Sequence, residues 1–235
     1  MLNNDFFATI ATFMISLIWL RLNDFAADRG LISSKLSRKI IHIGTGPIFV
    51  LCWFLFTPSP WSRFLAALVP FAITVQFFLV GTGVIKDEAA VQALSRSGDR
   101  REILKGPLYY GIIFVLLTII YWIDSPIGIV ALMLMCGGDG LADILGRRYG
   151  SKILLWNSEK SWIGAMSMFV GGWIMAILIL IPYTAAGFFP GGINTYIIPI
   201  TVIALAGTAV ETLAIKDIDN ITVTLTALLL GHLLL

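Results

Sequence analysis

Charge is scarce in this chain: only 13% of its 235 residues are Asp, Glu, Lys or Arg. Hydrophobic residues make up 58%, and the mean hydropathy is +0.91. A soluble domain of this length cannot cover so much apolar surface with so few polar groups, which excludes a water-soluble globule. A bilayer accepts apolar side chains on the outside of a helix bundle. Cysteine is scarce as well. Cys52 and Cys136 both sit inside apolar runs, so they read as small apolar filler, not as a disulfide or a metal centre. There is no Walker-type glycine loop and no kinase catalytic-loop pattern. No internal repeat is evident, which speaks against a transporter built from two inverted halves. The N-terminus lacks the basic stretch of a cleaved signal peptide: Asp5 stands there, and Arg21 follows the apolar run.

What the chain does have is a series of long apolar runs. They lie at 6–20, 40–57, 62–84, 106–123, 125–146, 162–183 and 193–215, with a short last run at 220–235. Crossing a bilayer takes about 20 residues, so the first and last runs are marginal. The run at 125–146 is continuously apolar only to Met135. The pattern predicts an all-α, polytopic membrane bundle of seven or eight transmembrane helices, with residues 1–235 forming a single integral membrane domain.

Basic residues test the threading. Arg21, Arg29, Lys35, Arg38 and Lys39 lie between the first two runs, and Lys86, Arg96, Arg100, Arg101 and Lys105 between the third and fourth. Arg147, Arg148, Lys152 and Lys160 lie between the fifth and sixth, and Lys216 between the last two. Of the 16 basic residues, only Arg63 falls in the opposite set of loops. The positive-inside rule makes the basic side cytoplasmic. Trp19, Trp61, Tyr121, Trp122, Trp156 and Trp162 fall near run ends and read as interfacial anchors. The mixed-charge stretch 85–105 reads either as a short amphipathic helix on the membrane surface or as a solvated connector.

Four polar clusters share the basic side. In the first, Arg38 and His42 are one helical turn apart at the start of the second run, with Lys39 beside them. His42 is read either as structural or as catalytic. The second is Gly138-Asp-Gly-Leu-Ala-Asp-Ile-Leu-Gly-Arg-Arg-Tyr-Gly150. Asp139 and Asp143 are four apart, so a helix puts both carboxylates on one face. An ionised Asp costs roughly 2.5–3.5 kcal/mol at the centre of a spanning helix, less near its end. A divalent cation offsets that cost and their mutual repulsion, and Mg²⁺ is usually held by one or two carboxylates plus substrate phosphates. The competing reading is a solvated pair, or one paired with Arg147. Gly138, Gly146 and Gly150 serve either close helix packing or close approach to a phosphate.

The third cluster opens the sixth run. Ser158 is the predicted N-cap, which puts Lys160 and Ser161 in the first turn of the helix. A lysine there runs against the helix dipole unless a phosphate sits beside it; the alternative is an ordinary positive-inside lysine. The fourth is Glu211, late in an apolar run, with Lys216, Asp217, Asp219 and Asn220 following. An acid at that depth is a functional candidate by default; pairing with Lys216 is the alternative. Acids for Mg²⁺, bases for phosphates and flexible backbone suit phosphoryl or nucleotidyl transfer.

The clusters SRKIIHIGTG at 37–46, GDGLADILGRRYG at 138–150, EKSWIGAMSMFVGG at 159–172 and VETLAIKDIDNITV at 210–223 resemble, in order, those of the polyprenol kinase family. The chain looks most like the short phytol kinase branch. The resemblance implies a multi-pass membrane enzyme that phosphorylates an isoprenoid alcohol with CTP, or another nucleoside triphosphate, and Mg²⁺; the basic loops put its working face on the cytoplasmic side. The implied partners are a prenol lipid and a nucleotide, with no nucleic acid. It also implies kinship with phosphatidate cytidylyltransferases, through Asp139, Ala142, Gly146, Arg147, Gly150 and Lys160. On this reading Asp139, Asp143, Lys160 and His42 are catalytic, and Asp139, Asp143 and Glu211 hold the metal. Gly138, Gly146, Arg147, Gly150, Ser161, Arg38, Lys39, Asp219 and Asn220 bind the nucleotide. The alternatives are a CTP-dependent lipid-phosphate cytidylyltransferase and a small-solute or ion-coupled transporter. Plasma and thylakoid membranes both suit the pattern.

Overall fold

The computed structural model describes residues 2–95, 97–213 and 218–235. Among these residues seven helices are long and apolar enough to cross a membrane, and Asp219–Leu234 is a shorter apolar helix. The all-α, polytopic bundle expected from the apolar runs is what the chain forms. Its helices are α1 (Leu2–Asp28), α2 (Ser34–Cys52), α3 (Ser62–Thr82), α4 (Glu88–Leu94), α5 (Gly106–Ile120) and α6 (Pro126–Met133). After α7 (Gly140–Tyr149) come a hairpin of β1 (Ile153–Leu154) and β2 (Asn157–Ser161), and then α8 (Trp162–Ala185), α9 (Asn194–Leu213) and α10 (Asp219–Leu234).

The chain divides into two compact units. The first comprises Met1–Ile41 and Cys52–Ile120, the second His42–Leu51 and Tyr121–Leu235. In the first unit α3 packs on α5 and α1 on α3. Asp5 is buried, and its carboxylate accepts hydrogen bonds from the Thr57 amide, the Thr57 hydroxyl and the Ser62 hydroxyl at 2.8, 2.8 and 2.6 Å. A buried carboxylate is tolerable only with such partners. The stretch 85–105 is not one surface helix. Asp87 caps the short α4 by accepting from the Ala90 amide, and a single 3₁₀ segment follows at Arg100–Leu104.

The second unit holds three of the four polar clusters. Ser125 caps α6 by accepting from the Ile127 amide, and Pro126 takes the first turn, where no backbone donor is needed. All of α6 is buried. A π-helical turn, Leu134–Asp139, joins it to α7. Lipid gives apolar helices no hydrophobic reason to associate, so close contact rests on small residues. Along the α7–α8 seam, a Cβ on Gly138 would sit 2.7 Å from Met168 Sδ, and one on Gly171 2.6 Å from a Leu141 methyl. Gly146 lies against Gly164 in the same way.

Candidate active site

The hairpin between α7 and α8 carries Lys160. Ser161, not Ser158, is the N-cap of α8: its hydroxyl accepts the Gly164 amide at 3.1 Å. Lys160 therefore lies in β2 and not in the first helical turn, so the conflict with the helix dipole does not arise. Two bonds moor the hairpin to the end of α9. Trp156 Nε1 donates to the Thr212 hydroxyl at 3.3 Å, and Asn157 Nδ2 to the Thr212 carbonyl at 3.0 Å. This mooring sets Lys160 beside Glu211, the residue before Thr212.

The Lys160 ammonium donates to Glu211 Oε1. Glu211 is 3% exposed and Lys160 25%. Burial works against the charge of Lys160, but the Glu211 carboxylate, with Asp139 and Asp219 behind it, holds its pKa above the ordinary lysine value. Asp139 from the π-helical turn, Glu211 from α9 and Asp219 from α10 thus act on one ammonium supplied by the hairpin. Asn220, next to Asp219, is buried, and its amide oxygen has no hydrogen-bond partner. Such an oxygen is an acceptor available to a bound molecule.

His42 reaches the same group of residues from α2. Its Nε2 lies 3.2 Å from the Met135 carbonyl and 3.4 Å from Asp139 Oδ2. Asp143, one turn beyond Asp139, accepts from Arg147 Nε at 2.6 Å, and the Arg147 side chain is 65% exposed.

The remaining candidates fall in varied places. Gly138 packs on Met168, and Gly146 and Gly150 pack around the Ser161 hydroxyl, so close packing fills the space beside these glycines. Ser161 is buried under its capping bond. Arg38 and Lys39 belong to the first unit, where Arg38 donates to the Ser95 carbonyl at 3.0 Å. Lys216 and Asp217 lie outside the described residues. Sequence reasoning missed the π-helical turn, the hairpin and the mooring at Thr212. A Gly-Gly pair just before Asp139 is the one local sign of a change of helical step there.

Among the described residues no three His, Cys, Asp or Glu side chains converge as a ready-made metal site. The residues present still fit Mg²⁺, which needs only one or two protein carboxylates when phosphates supply the rest. Asp139 is partly exposed at 15%, Asp143 stands one turn away, and the acids acting on Lys160 outnumber it. Glu211 differs, since its carboxylate is engaged by Lys160.

An apolar groove of about 400 Å³ runs along α7 and α8, lined by Leu141, Leu145, Ile163, Met166, Val170 and Ile174 among others. Leu141 and Leu145 are each two residues from Asp143, about 200° around a helix. The groove and Asp143 therefore lie on opposite faces of α7.

No protein-family model matches this chain, and neither does a solved structure. It is 41% identical over 216 residues to a probable chloroplastic phytol kinase of Triticum aestivum, covering 91% of this chain and 72% of that protein. It is 41% identical over 210 residues to the chloroplastic farnesol kinase of Arabidopsis thaliana, covering 88% and 67%. Chloroplastic phytol kinase 1 of the same plant is 37% identical over 207 residues, covering 87% and 68%. With identity at this level over about nine-tenths of its length, the chain belongs to the phytol and farnesol kinase family.

Proposed function

We propose that this chain phosphorylates an isoprenoid alcohol of the phytol, geranylgeraniol or farnesol type, with CTP as donor and Mg²⁺, at the cytoplasmic face of its membrane. One observation carries the reading. A buried lysine, moored beside Glu211, sits in the field of Asp139 and Asp219, with a buried unpartnered amide oxygen on Asn220 beside them. Kinship with kinases named for phytol and farnesol supports the acceptor class. The basic loops support the face.

Phosphoryl transfer asks the protein mainly for positioning and charge neutralisation. Lys160 supplies a fixed cation, held by Glu211 against the entropy of its long side chain. Arg147, exposed at the end of α7, is placed to meet phosphate oxygens bidentately on leaving Asp143. Asn220 offers an acceptor to the nucleotide. Asp139 with Asp143 would hold Mg²⁺, which neutralises phosphate charge. Of the candidate proton acceptors His42, Asp219 and Glu211, Asp219 in the first turn of α10 takes the alcohol proton on this reading, because Glu211 is engaged by Lys160.

The test is direct. Purified protein, each alcohol in turn, Mg²⁺ and CTP labelled at the γ position should yield labelled prenyl monophosphate and CDP. Pyrophosphate release with CMP retained on a lipid phosphate would decide for a cytidylyltransferase. No product with any alcohol or nucleotide would overturn the reading.

A further inference from the structure

The π-helical turn places an unusual demand on its neighbours. In a π turn each amide reaches back five residues instead of four, and such turns occur frequently at functional sites. At its end the Gly140 amide returns to the Cys136 and Gly137 carbonyls, four and three back. A carbonyl oxygen has two lone pairs, and a buried one in such irregular backbone has room for a side-chain donor. Met135 is fully buried, and the group 3.2 Å from its oxygen is His42 Nε2.

That contact fixes the chemistry of the ring. A carbonyl oxygen only accepts, so Nε2 carries the hydrogen. The same nitrogen faces Asp139 Oδ2 at 3.4 Å, also an acceptor. One N–H thus spans the irregular backbone and the carboxylate that ends the turn. The approach of α2 is built for it. A Cβ on Gly46 would lie 2.5 Å from Cys136 Sγ, and one on Gly140 2.2 Å from Ile43 Cγ1. Two glycines, one on each element, let His42 come this close.

We propose that His42 is a positioning residue: it donates to the Met135 carbonyl inside the π turn and holds the Asp139 carboxylate in place. It is not the acceptor of the alcohol's proton through Nε2. The functional part of this inference rests on the prenol kinase reading. The geometric part does not.

Two measurements test it. The chain has only two histidines, so ¹⁵N-histidine labelling of a His232→Gln variant leaves one ring to observe. That ring should be the Nε2–H tautomer, and Asp139→Asn should shift its resonance. An Nδ1–H tautomer, or no response to Asp139→Asn, would overturn the proposal whatever the enzyme's substrate. The second compares His42→Ala with His42→Gln, whose amide donates but cannot serve as a base. His42→Ala should lower kcat and raise the Mg²⁺ needed for half-maximal rate by about 10–100-fold, as for other groups that orient a metal ligand. His42→Gln should recover most of both. A His42→Gln enzyme as inactive as His42→Ala, with both melting like the parent, would show that His42 works as a base. Inactivity of the parent protein toward every prenol counts against the kinase reading alone, because the resonance experiment needs no turnover.

Discussion

Lys160 is a cation under two opposed influences. Burial favours its neutral form, while Glu211 first, then Asp139 and Asp219, favour the ammonium. The acids win, and its pKa lies above the ordinary lysine value. The ammonium's contribution to stability is therefore present below that ordinary value, as long as Glu211 is ionised, and is lost only as pH rises through the raised one. Across the neutral range no loss of activity or stability should come from Lys160. Glu211→Gln removes the largest raising influence and leaves the burial. The alkaline limb of the pH–rate profile should then move to lower pH. Breaking a buried ion pair costs about 3–5 kcal/mol. The cost here should fall below that, because Lys160 is one quarter exposed. A melting curve and a pH–rate profile of the same preparation check both parts. An active Glu211→Gln enzyme with an unmoved alkaline limb would mean that Glu211 does not set the charge of Lys160.

At the scale of elements, the site depends on two pieces that the hydrophobic pattern does not encode. The first is the hairpin. Residues 153–161 are too short and too polar to show a strand period, and Ser158 offered a plausible cap just ahead of an apolar run. The Ser161 cap starts the helix at Trp162, and bonds to Thr212, 55 and 56 residues away, hold the hairpin before it. The second is the π turn, where one extra residue in an apolar run leaves the composition unchanged. The residue types of the site were legible nonetheless. Lys160, Glu211, Asp139 and Asp219 stand out because ionisable groups are scarce and costly at the ends of apolar helices. Their partners were not legible: Glu211 pairs with Lys160, 51 residues away, through the hairpin. The close approach of α2 to this turn gives a test. Gly140→Ala puts a methyl 2.2 Å from Ile43 Cγ1, and overpacking of this kind costs about 1–3 kcal/mol. It should lower the melting temperature and depress kcat by pushing His42 from Asp139. Gly106→Ala meets nothing within 4 Å and should change neither. Equal behaviour of the two variants would show that the approach of α2 is not needed.

For the whole molecule, the number of spans was legible because a bilayer imposes a length on every crossing helix and admits no lipid-exposed irregular backbone. The doubtful runs were resolved by packing, which hydropathy does not report. The run at 125–146 continues as helix to Tyr149 because its glycines seat it on α8, and α10 is short but packs on α6 and α9. The proposed orientation rests on a different force, the tendency of Lys and Arg to stay in cytoplasmic loops, and it can be tested alone. Cys52 and Cys136 are both buried, so the parent protein should give little background with a membrane-impermeant maleimide. Ser151, beside the hairpin, and Gly192, between α8 and α9, are both exposed, and a Cβ on Gly192 meets nothing within 4 Å. In intact cells Gly192→Cys should be labelled and Ser151→Cys should not, and Ser151→Cys should become reactive once the membrane is permeabilised. The opposite pattern would place Lys160 and its acids on the outer face, where no cytoplasmic nucleotide pool reaches them. A CTP-dependent reaction at that site would then be untenable even with the helix count intact.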